Sequence, residues 1–546
     1  PWIGRQNVNL LKVGRLDRHA SAILANQVAA QQVLPPPLRE RIIRETDGIP
    51  LFIEEMTKAV LEEARGQPAA TDAITVPSTL QGSLMARLDR LPAAKQVAQL
   101  GAVIGRNFPH ALLAAISDLA EPLLAQGLHE LVVSGLAFQR GVAPEAVYAF
   151  KHALIRDVAY ESLPRNRRAE IHATVVAAVE TDRGLGSMEP SRLGHHCAQA
   201  GLIAKAAACY RRAGERAAAR AGLAETRNHL ERGLQFARSL PDGADRQLLE
   251  AELLIALGRQ LMAVKGQSDP EAGSLFARAV EVSREMADPE MLARAMFALG
   301  AVAMSRGELP SVQTISDDLL GLAKSHQNAR IAIAGHIRLG ILAFYQGRLE
   351  ASRNSLSRVL ELCGEANREL LDLAVTSSPD VAAAAYLANA LAHLGYADRA
   401  IEHAEQAVER ARPLGVASLA FSMALSTAAR AFQILGDETR CRRYAETLVI
   451  AAREQGFPQY LALGRCVLGW LTAKQVNVTD GLKSLAEAKA ALHALGSQRE
   501  MPYVNCLMAE ALVGPAADRK RWRCWTRPCW LRPARERWLS TPGCLP

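Results

Sequence analysis

Apolar and polar residues follow one another along most of this chain with the period of an α-helix. Between residues 17 and 66, the segments RHASAILANQVAA, LRERIIRETDG and PLFIEEMTKAVLEEARG predict helices, with a Pro-rich break after the first. Gly48 stands where a helix C-terminus needs a left-handed residue, and Pro50 suits the first turn of the next helix. The segment VNLLKVGRL, residues 8–16, predicts a short strand for which this chain offers no partner sheet.

Residues 77–163 predict a second unit of three helices and two strands. TLQGSLMARLDRL, AAKQVAQLGAVIG and EPLLAQGLHELVVSG are helical, and residues 77–81 have the composition of a capped helix start. LAFQRG and AVYAFKH predict two strands around a turn, so the order is that of a winged helix. A winged helix that reads DNA needs Arg, Lys or Asn on its third helix. That helix, residues 121–134, contains no Lys or Arg, so we expect no nucleic-acid partner.

From about residue 190 the chain is a series of helix pairs with an internal repeat. Gly307, Gly347, Gly395 and Gly436 occupy matching places at spacings of 40, 48 and 41 residues, and Val476 falls at a fifth such place. Each Gly is expected to end one helix, and small residues in the next helix allow close packing. This pattern predicts an α-solenoid whose concave face binds a peptide, a partner protein or another part of the same chain.

Composition adds few constraints on function. The chain has 546 residues, of which 49% are hydrophobic and 22% are charged, and no apolar run reaches the length of a membrane span. Its nine Cys include no CxxC pair, which favours a reduced, cytoplasmic setting. The first residue is Pro rather than Met and no signal peptide follows, so we expect the chain to be part of a longer protein.

The C-terminal tail differs in composition from the rest of the chain. Residues 518–546 hold eight Lys/Arg and two Asp/Glu, and therefore carry +6 of the net charge of +8. The nearly balanced remainder makes no electrostatic case for DNA binding. Four of the six Trp also lie in this tail, and a one-base frame shift would restore an amphipathic helix there. We therefore interpret residues 516–546 as an aberrant, out-of-frame tail, and a basic Trp-rich tail that binds RNA or membranes is the alternative.

Motifs for catalysis are missing from the sequence. We find no Walker A loop, no convincing Walker B segment, no cyclase core, no HExxH and no GxSxG. His195–Cys197 reads HHC, which is too short for a metal site without distant partners. The sequence therefore predicts no catalytic and no metal-binding residues in this chain, and no hydrolysis of ATP by the chain alone.

Two resemblances carry the functional prediction. The repeats resemble lengthened tetratricopeptide repeats. Upstream, the segments TDGIPLFIEEMTKAVLE, VPSTLQGSLMARLDRL, AQLGAVIGRNF and FKHALIRDVAYESLP occur in this order. They resemble the end of the ATPase module in bacterial signal-transduction ATPases of the AAA-related STAND type, and most of all in proteins that begin with a class III adenylate/guanylate cyclase domain. For these upstream segments, large ATP-binding transcriptional activators with a C-terminal helix-turn-helix are the runner-up resemblance. The likeness extends to about residue 515.

The resemblance implies a domain organisation and half of a nucleotide site. Residues 1–70 would be the last strand and the lid helices of the ATPase domain, 71–185 a winged-helix unit, and 190–515 the repeats. In such ATPases a Gly-x-Pro of the lid lies against adenine, which Gly48 and Pro50 match, and a His of the winged helix reaches the β-phosphate of ADP, which His152 matches. ATP or ADP would then bind only together with an ATPase core outside this chain. From the residues alone, His152 is also explained as a capping or core residue.

The expected role is therefore regulatory. The favoured reading is a sensor fragment of a cyclase-linked ATPase, with a protein or peptide on the repeats, ATPase and cyclase domains upstream, and no membrane or nucleic-acid partner. The alternatives are a fragment of a transcriptional activator and a stand-alone repeat scaffold whose N-terminal part is only a cap.

Overall fold

Apolar side chains recur every three to four residues almost throughout, and helices form on that pattern. The structure is a computed structural model and describes residues 14–29, 34–66, 79–181, 188–220, 222–365, 378–415 and 418–513. These residues form 25 α-helices and three short strands. The chain divides into two compact units, Pro1–Leu202 and Ile203–Pro546. Of the strand predicted in residues 8–16, residues 8–13 lie outside the described residues, and residues 14–16 have no regular secondary structure. The tail of residues 516–546 also lies outside the described residues.

The first unit contains ten helices and three strands among its described residues. In chain order they are α1 (Arg18–Ala29), α2 (Pro36–Thr46), α3 (Pro50–Gly66), α4 (Leu80–Asp89), α5 (Pro92–Ile104), β1 (Asn107–Pro109), α6 (His110–Ile116), α7 (Glu121–Val133), β2 (Ala137–Arg140), β3 (Val147–Phe150), α8 (Ala153–Glu161), α9 (Arg165–Thr181) and α10 (Pro190–Gln199).

Helices α1 to α3 pack on one apolar cluster. Ala25, Ile42, Ile53 and Met56 are fully buried at its centre and come from all three helices. Each helix buries one stripe of its surface there, which is the usual source of stability for a short amphipathic helix. The three helices predicted between residues 17 and 66 are therefore present.

The next segment, from α4 to β3, has the order helix–helix–strand–helix–helix–hairpin. Its sheet has the order β1-β3-β2 with both pairings antiparallel, and Phe108 lies opposite Tyr148 in the register. The sequence analysis predicted β2, β3 and the helices α4, α5 and α7. It missed β1, because three residues of strand are too few to show alternation. It also missed the short helix α6. Thr79 caps α4 as expected, since its Oγ1 accepts a hydrogen bond from the Gly82 N–H at 3.0 Å.

The second unit is built of fifteen α-helices among its described residues. They are α11 (Ile203–Ala219), α12 (Leu223–Arg238), α13 (Ala244–Lys265), α14 (Pro270–Arg284), α15 (Pro289–Arg306), α16 (Leu309–His326), α17 (Ala329–Tyr345), α18 (Leu349–Glu365), α19 (Pro379–Leu394), α20 (Ala397–Ala411), α21 (Leu419–Leu435), α22 (Glu438–Gln455), α23 (Pro458–Gln475), α24 (Val478–Ala494) and α25 (Met501–Val513).

These helices form stacked pairs in two layers. Each odd-numbered helix packs on the even-numbered helix that follows it and also on the next odd-numbered helix. The odd-numbered helices therefore form one continuous layer, which we call the inner layer. The four repeat glycines end helices or follow them with φ between 76° and 89°, in the left-handed region that only Gly adopts freely. Small residues such as Ala400 and Cys441 are fully buried at the pair contacts, so the predicted α-solenoid is confirmed.

In the part of the chain that the structure describes, every helix is too short or too polar to traverse a lipid bilayer.

Candidate functional site

Gly48 is one of the three predicted nucleotide contacts, and its backbone packs directly against that of Leu16 in the first unit. Its carbonyl accepts a hydrogen bond from the Leu16 N–H at 2.8 Å, and its φ is +69°. A Cβ atom at this position would lie 2.1 Å from the Leu16 carbonyl oxygen, so no side chain fits. Pro50 is the first residue of α3, where a missing N–H costs no hydrogen bond. Both residues thus have a structural reason, and their contact with adenine stays a prediction.

His152 is the residue before α8, at the corner where β3 ends. Its backbone is extended, with φ −131° and ψ 145°, and its side chain makes no capping hydrogen bond. Its Nε2 atom is buried and has no hydrogen-bond partner among the described residues. A buried ring nitrogen without a partner has a free donor or acceptor position. This position suits contact with an oxygen of a further group, and the predicted contact with a nucleotide phosphate remains untested.

Helix α3 is joined to the His152 corner by an ion pair. The Lys151 ammonium lies 2.6 Å from Glu54 Oε1, and the Lys58 ammonium lies at the same distance from that oxygen. Burial alone would raise the pKa of Glu54, but the hydrogen bonds from Lys151 and Lys58 outweigh it and lower this pKa to about 2. Glu54 is therefore ionised at neutral pH, and its ion pair with Lys151 connects α3 to the residue next to His152.

A second ion pair, between α3 and α4, is fully buried. The Arg87 guanidinium of α4 pairs with Glu55 of α3, and both side chains are at most 2% exposed. Arg87 also donates to the Ser134 carbonyl after α7, at 2.9 Å. These contacts hold α3, α4 and the end of α7 together. Charged side chains therefore connect the α1–α3 bundle to the segment from α4 to β3.

The HHC segment belongs to a buried histidine cluster rather than to a recognisable metal centre. His196 Nδ1 lies 2.8 Å from His172 Nδ1, and the Tyr160 hydroxyl lies 3.1 Å from His172 Nε2. Burial lowers the pKa of His172 to about 4 and that of His196 to about 3, with further lowering by His195. Among the described residues, no group of three or more His, Cys, Asp or Glu side chains is placed to hold a metal ion.

The second unit contains a polar cavity that the sequence analysis did not identify. It has a volume of about 50 Å³, and we call it the inner cavity. Its walls come mainly from the inner-layer helices α15, α17, α19, α21 and α23. Its polar lining includes three arginines, one carboxylate and three tyrosines: Arg338, Arg430, Arg499, Glu500, Tyr345, Tyr386 and Tyr460.

One side of the inner cavity is formed by the loop of residues 495–500, which we call the closing loop. It connects α24 to α25 and ends in a 3-10 helix, Gln498–Glu500, that packs on α15. Gln459 bridges this loop to the α13–α14 connection, because it accepts from the Gln267 N–H at 2.9 Å and donates to Ser497 Oγ at 3.3 Å. The Gln267 side chain donates to the Tyr460 hydroxyl at 3.0 Å. The last helices of the solenoid thus contact helices almost 200 residues earlier.

Glu500 of the closing loop is the only acidic residue in the described lining of the cavity. Its carboxylate pairs with Arg430, accepts from the Tyr345 hydroxyl at 3.2 Å and from Arg499 Nε at 3.0 Å. Burial alone would raise the pKa of Glu500, but the two guanidinium groups outweigh it and lower this pKa to about 2. This one carboxylate is therefore the counter-charge of both Arg430 and Arg499.

Arg338 of α17 has no carboxylate partner among the residues that the structure describes. It is 5% exposed, and its Nη2 donates to the Phe297 carbonyl at 2.8 Å while the guanidinium carbon lies 3.8 Å from the centre of the Phe297 ring. Its Nε atom is buried without a hydrogen-bond partner. Burial, together with the nearby charge of Arg499, lowers the pKa of Arg338 to about 9. It is thus a buried cation at neutral pH that uses one of its five N–H donors.

The sequence offered one weak signal for this cavity. Arg338 interrupts the apolar helix IAIAGHIRLGILAFY, and a charge on an inner helix face needs a reason. Arg430, Arg499 and Glu500 are separated from it by 92 to 162 residues, and only the curvature of the stack brings them together.

Comparison with known proteins identifies the class of fold. No protein-family profile matches the chain. An uncharacterized protein of Rhizobium meliloti (strain 1021) is 28% identical over 290 residues, which make up 52% of this chain and 28% of that protein. The chain thus spans less than a third of the length of this curated relative.

Among solved structures, the chain is similar to a Signal Transduction ATPase with Numerous Domains (STAND) protein with a tetratricopeptide repeat sensor from Pyrococcus horikoshii. The TM-score is 0.55 at 13% identity, over 93% of this chain and 72% of that one. A Rap protein complexed with Competence and Sporulation Factor matches 56% of this chain and 86% of its own, with a TM-score of 0.39 at 12% identity. At such identity the first likeness shows the fold alone: a mostly α protein whose helix pairs stack as a tetratricopeptide-like solenoid.

Proposed function

We propose that this chain is the sensor and regulatory part of a cytoplasmic multidomain signal-transduction ATPase, and that its repeats bind a protein or peptide. The observation that carries the proposal is the order of the parts. A three-helix bundle, a helix–strand unit and a tetratricopeptide-like solenoid follow one another, and a STAND protein with a repeat sensor has a similar fold over 93% of the chain. The four ATPase-like sequence segments lie in the first two of these parts.

In this proposal the first unit supplies half of a nucleotide site. Helices α1 to α3 act as the lid, and the segment from α4 to α9 is the winged helix, which fits the observed strand order β1-β3-β2. Gly48 and Pro50 would lie against the adenine of ADP, and the His152 imidazole would donate to its β-phosphate. The orphan Nε2 atom of His152 supports this role. The ATPase core that would complete the site belongs to the rest of the protein.

Release of that contact would pass from the winged helix to the lid. Lys151 is adjacent to His152 and pairs with Glu54 of α3, so a shift of the corner pulls on the lid helix. Such a pair of connected elements can switch between two arrangements when a ligand favours one of them. A partner on the repeats and ADP in the lid would then compete for control of the same equilibrium.

The output domain is the more distant part of the proposal. The sequence segments favour an adenylate/guanylate cyclase upstream of the ATPase, and a transcriptional activator with a C-terminal helix-turn-helix is the alternative. The genomic sequence on both sides of this chain distinguishes them.

The proposal is tested with His152→Ala in the full-length protein. We expect retention of ADP to fall about tenfold or more, as for a lost charge-assisted hydrogen bond, and basal output to rise. His129→Ala is the matched control, because His129 is an exposed residue of the same unit. Equal ADP retention and equal output in the wild type and both variants would overturn the nucleotide role.

A further inference from the structure

The inner cavity has an unbalanced charge. Three guanidinium groups face it, and Glu500 is the only carboxylate in its described lining. Arg430 and Arg499 share that carboxylate, whereas Arg338 has only a backbone carbonyl and an aromatic ring. Burying a cation without a counter-charge is unfavourable unless something else is gained.

The geometry around Arg338 is that of a site with open donors. The side chain is 95% buried, lines the cavity and donates one hydrogen bond, so four of its N–H groups are available in the described structure. A planar guanidinium with free N–H groups matches the two oxygens of a carboxylate or phosphate. The hydroxyl-bearing ring of Tyr386 lines the same cavity and adds a neutral donor, whereas the Tyr345 hydroxyl already donates to Glu500.

The size of the cavity limits what can enter. Its volume of about 50 Å³ exceeds the roughly 10–15 Å³ that one water needs on the same measure, so it holds a compact polar group of several atoms. The charged end of a larger ligand therefore fits.

We propose that the inner cavity binds one oxyanion group, a carboxylate or a phosphate, and that Arg338 is its main charged contact. This inference rests on the proposed sensor function and deepens it, because it names the chemistry of the ligand that the repeats recognise. An anion beside Arg338 would balance the charge of the cavity. It would also bridge α17 to the closing loop through Arg499, so ligand binding would stiffen the contact between α17 and that loop.

The experiment measures binding of inorganic phosphate and of succinate to the full 546-residue chain, by calorimetry and by thermal unfolding against chloride at equal ionic strength. The wild type is expected to bind at least one of them, and Arg338→Met is expected to bind about tenfold more weakly or not at all, as for a lost charge-assisted hydrogen bond. The two anions distinguish phosphate-bearing from carboxylate-bearing ligands. Because the basic tail is present in every variant, its weak anion binding cancels in the comparison.

Arg358→Met is the matched control, since Arg358 lies on the surface of α18 and pairs with Glu361. It is expected to bind the anion like the wild type. Arg338→Lys keeps the charge but loses the planar fork, and it is expected to bind several-fold more weakly, which preserves the test if the Met variant does not fold.

No anion binding in the wild type, or equal binding in the wild type, the Arg338 variants and the Arg358 control, would overturn the inference. Neither result bears on ADP retention by His152 in the full-length protein, so a failure here is distinguishable from a failure of the sensor function. Conversely, an unchanged output in the His152 experiment would leave the anion site standing.

Discussion

The imidazoles of His172 and His196 lie side by side between α9 and α10, each at most 2% exposed. No acidic side chain among the described residues is hydrogen-bonded to either ring, and the neighbouring groups are Tyr160, His195 and, for His196, the Arg192 guanidinium. Burial next to other cationic groups favours the neutral form of both rings. This cluster therefore stabilises the folded state only while it stays unprotonated.

This cluster predicts a loss of stability at mildly acidic pH. The unfolded histidines bind protons near pH 6.5, whereas the folded pKa values are about 4 and about 3, so the unfolded state binds more protons between these limits. Stability of the first unit should fall as the pH drops from 6.5 to 4, and should be insensitive to these groups above 7. Urea unfolding between pH 7 and 5 measures it.

His196→Gln should reduce that pH dependence, and His19→Gln is the control, because His19 is exposed on α1. An equal slope of stability against pH in the wild type and His196→Gln would contradict the prediction.

At the residue scale, the sequence predicted conformations better than contacts. The glycines at 48, 307, 347, 395 and 436 all have positive φ, as their positions after apolar periodic segments indicated. Val476, at the fifth repeat place, has φ −122° and ends its helix without a left-handed residue. The partner of His172 was not predictable, because two histidines 24 residues apart have no local pattern. The same holds for Arg338, whose burial depends on neighbouring helices.

At the scale of elements, helices were predictable and short strands were not. The hydrophobic period identified α3, α5 and α7, whereas β1 has three residues and forms only because β3 offers a partner edge. The sequence also did not predict which helices pack together. The α3–α4 contact depends on the Glu55–Arg87 pair, which joins residues 32 apart across residues 67–78.

The Glu55–Arg87 pair predicts a strong coupling between α3 and α4. Glu55→Gln leaves a buried guanidinium without its counter-ion and should destabilise this contact by about 3–5 kcal/mol. The double variant Glu55→Met/Arg87→Met should recover most of that loss, because no buried charge remains. Hydrogen exchange of the α3 and α4 amides measures the change.

Glu361→Gln is the control for this cycle, since its partner Arg358 is half exposed and such pairs contribute about 0.5 kcal/mol. If the double variant is as unstable as Glu55→Gln, the charge pair is not the cause.

At the scale of the whole molecule, the repeat period predicted the stack and missed its closure. In a simple solenoid each repeat contacts its neighbours alone, so stability is nearly a sum of local terms. Here the α13–α14 connection contacts α23 through Gln267 and Tyr460, which are 193 residues apart, and the closing loop contacts α17 through Glu500 and Tyr345, which are 155 residues apart. No sequence period encodes such contacts, because they depend on the accumulated curvature of five helix pairs. We therefore expect the second unit to unfold more cooperatively than a row of independent repeats.

Glu500 is the residue on which this closure depends most, because it joins the closing loop to Tyr345 of α17 and Arg430 of α21. Glu500→Gln removes a buried charge and leaves both Arg430 and Arg499 without a carboxylate, at a cost of about 3–5 kcal/mol. We expect hydrogen exchange to speed up together in α15, α17 and α25, since the loop packs on α15 and leads into α25. Exchange in the outer helices α16 and α18 should speed up less.

Glu350→Gln on α18 is the control. Its carboxylate pairs with Arg353 at the surface, so this variant should change none of these exchange rates. If the faster exchange in Glu500→Gln stays confined to α25, the closing loop is only a local cap, and the second unit unfolds repeat by repeat.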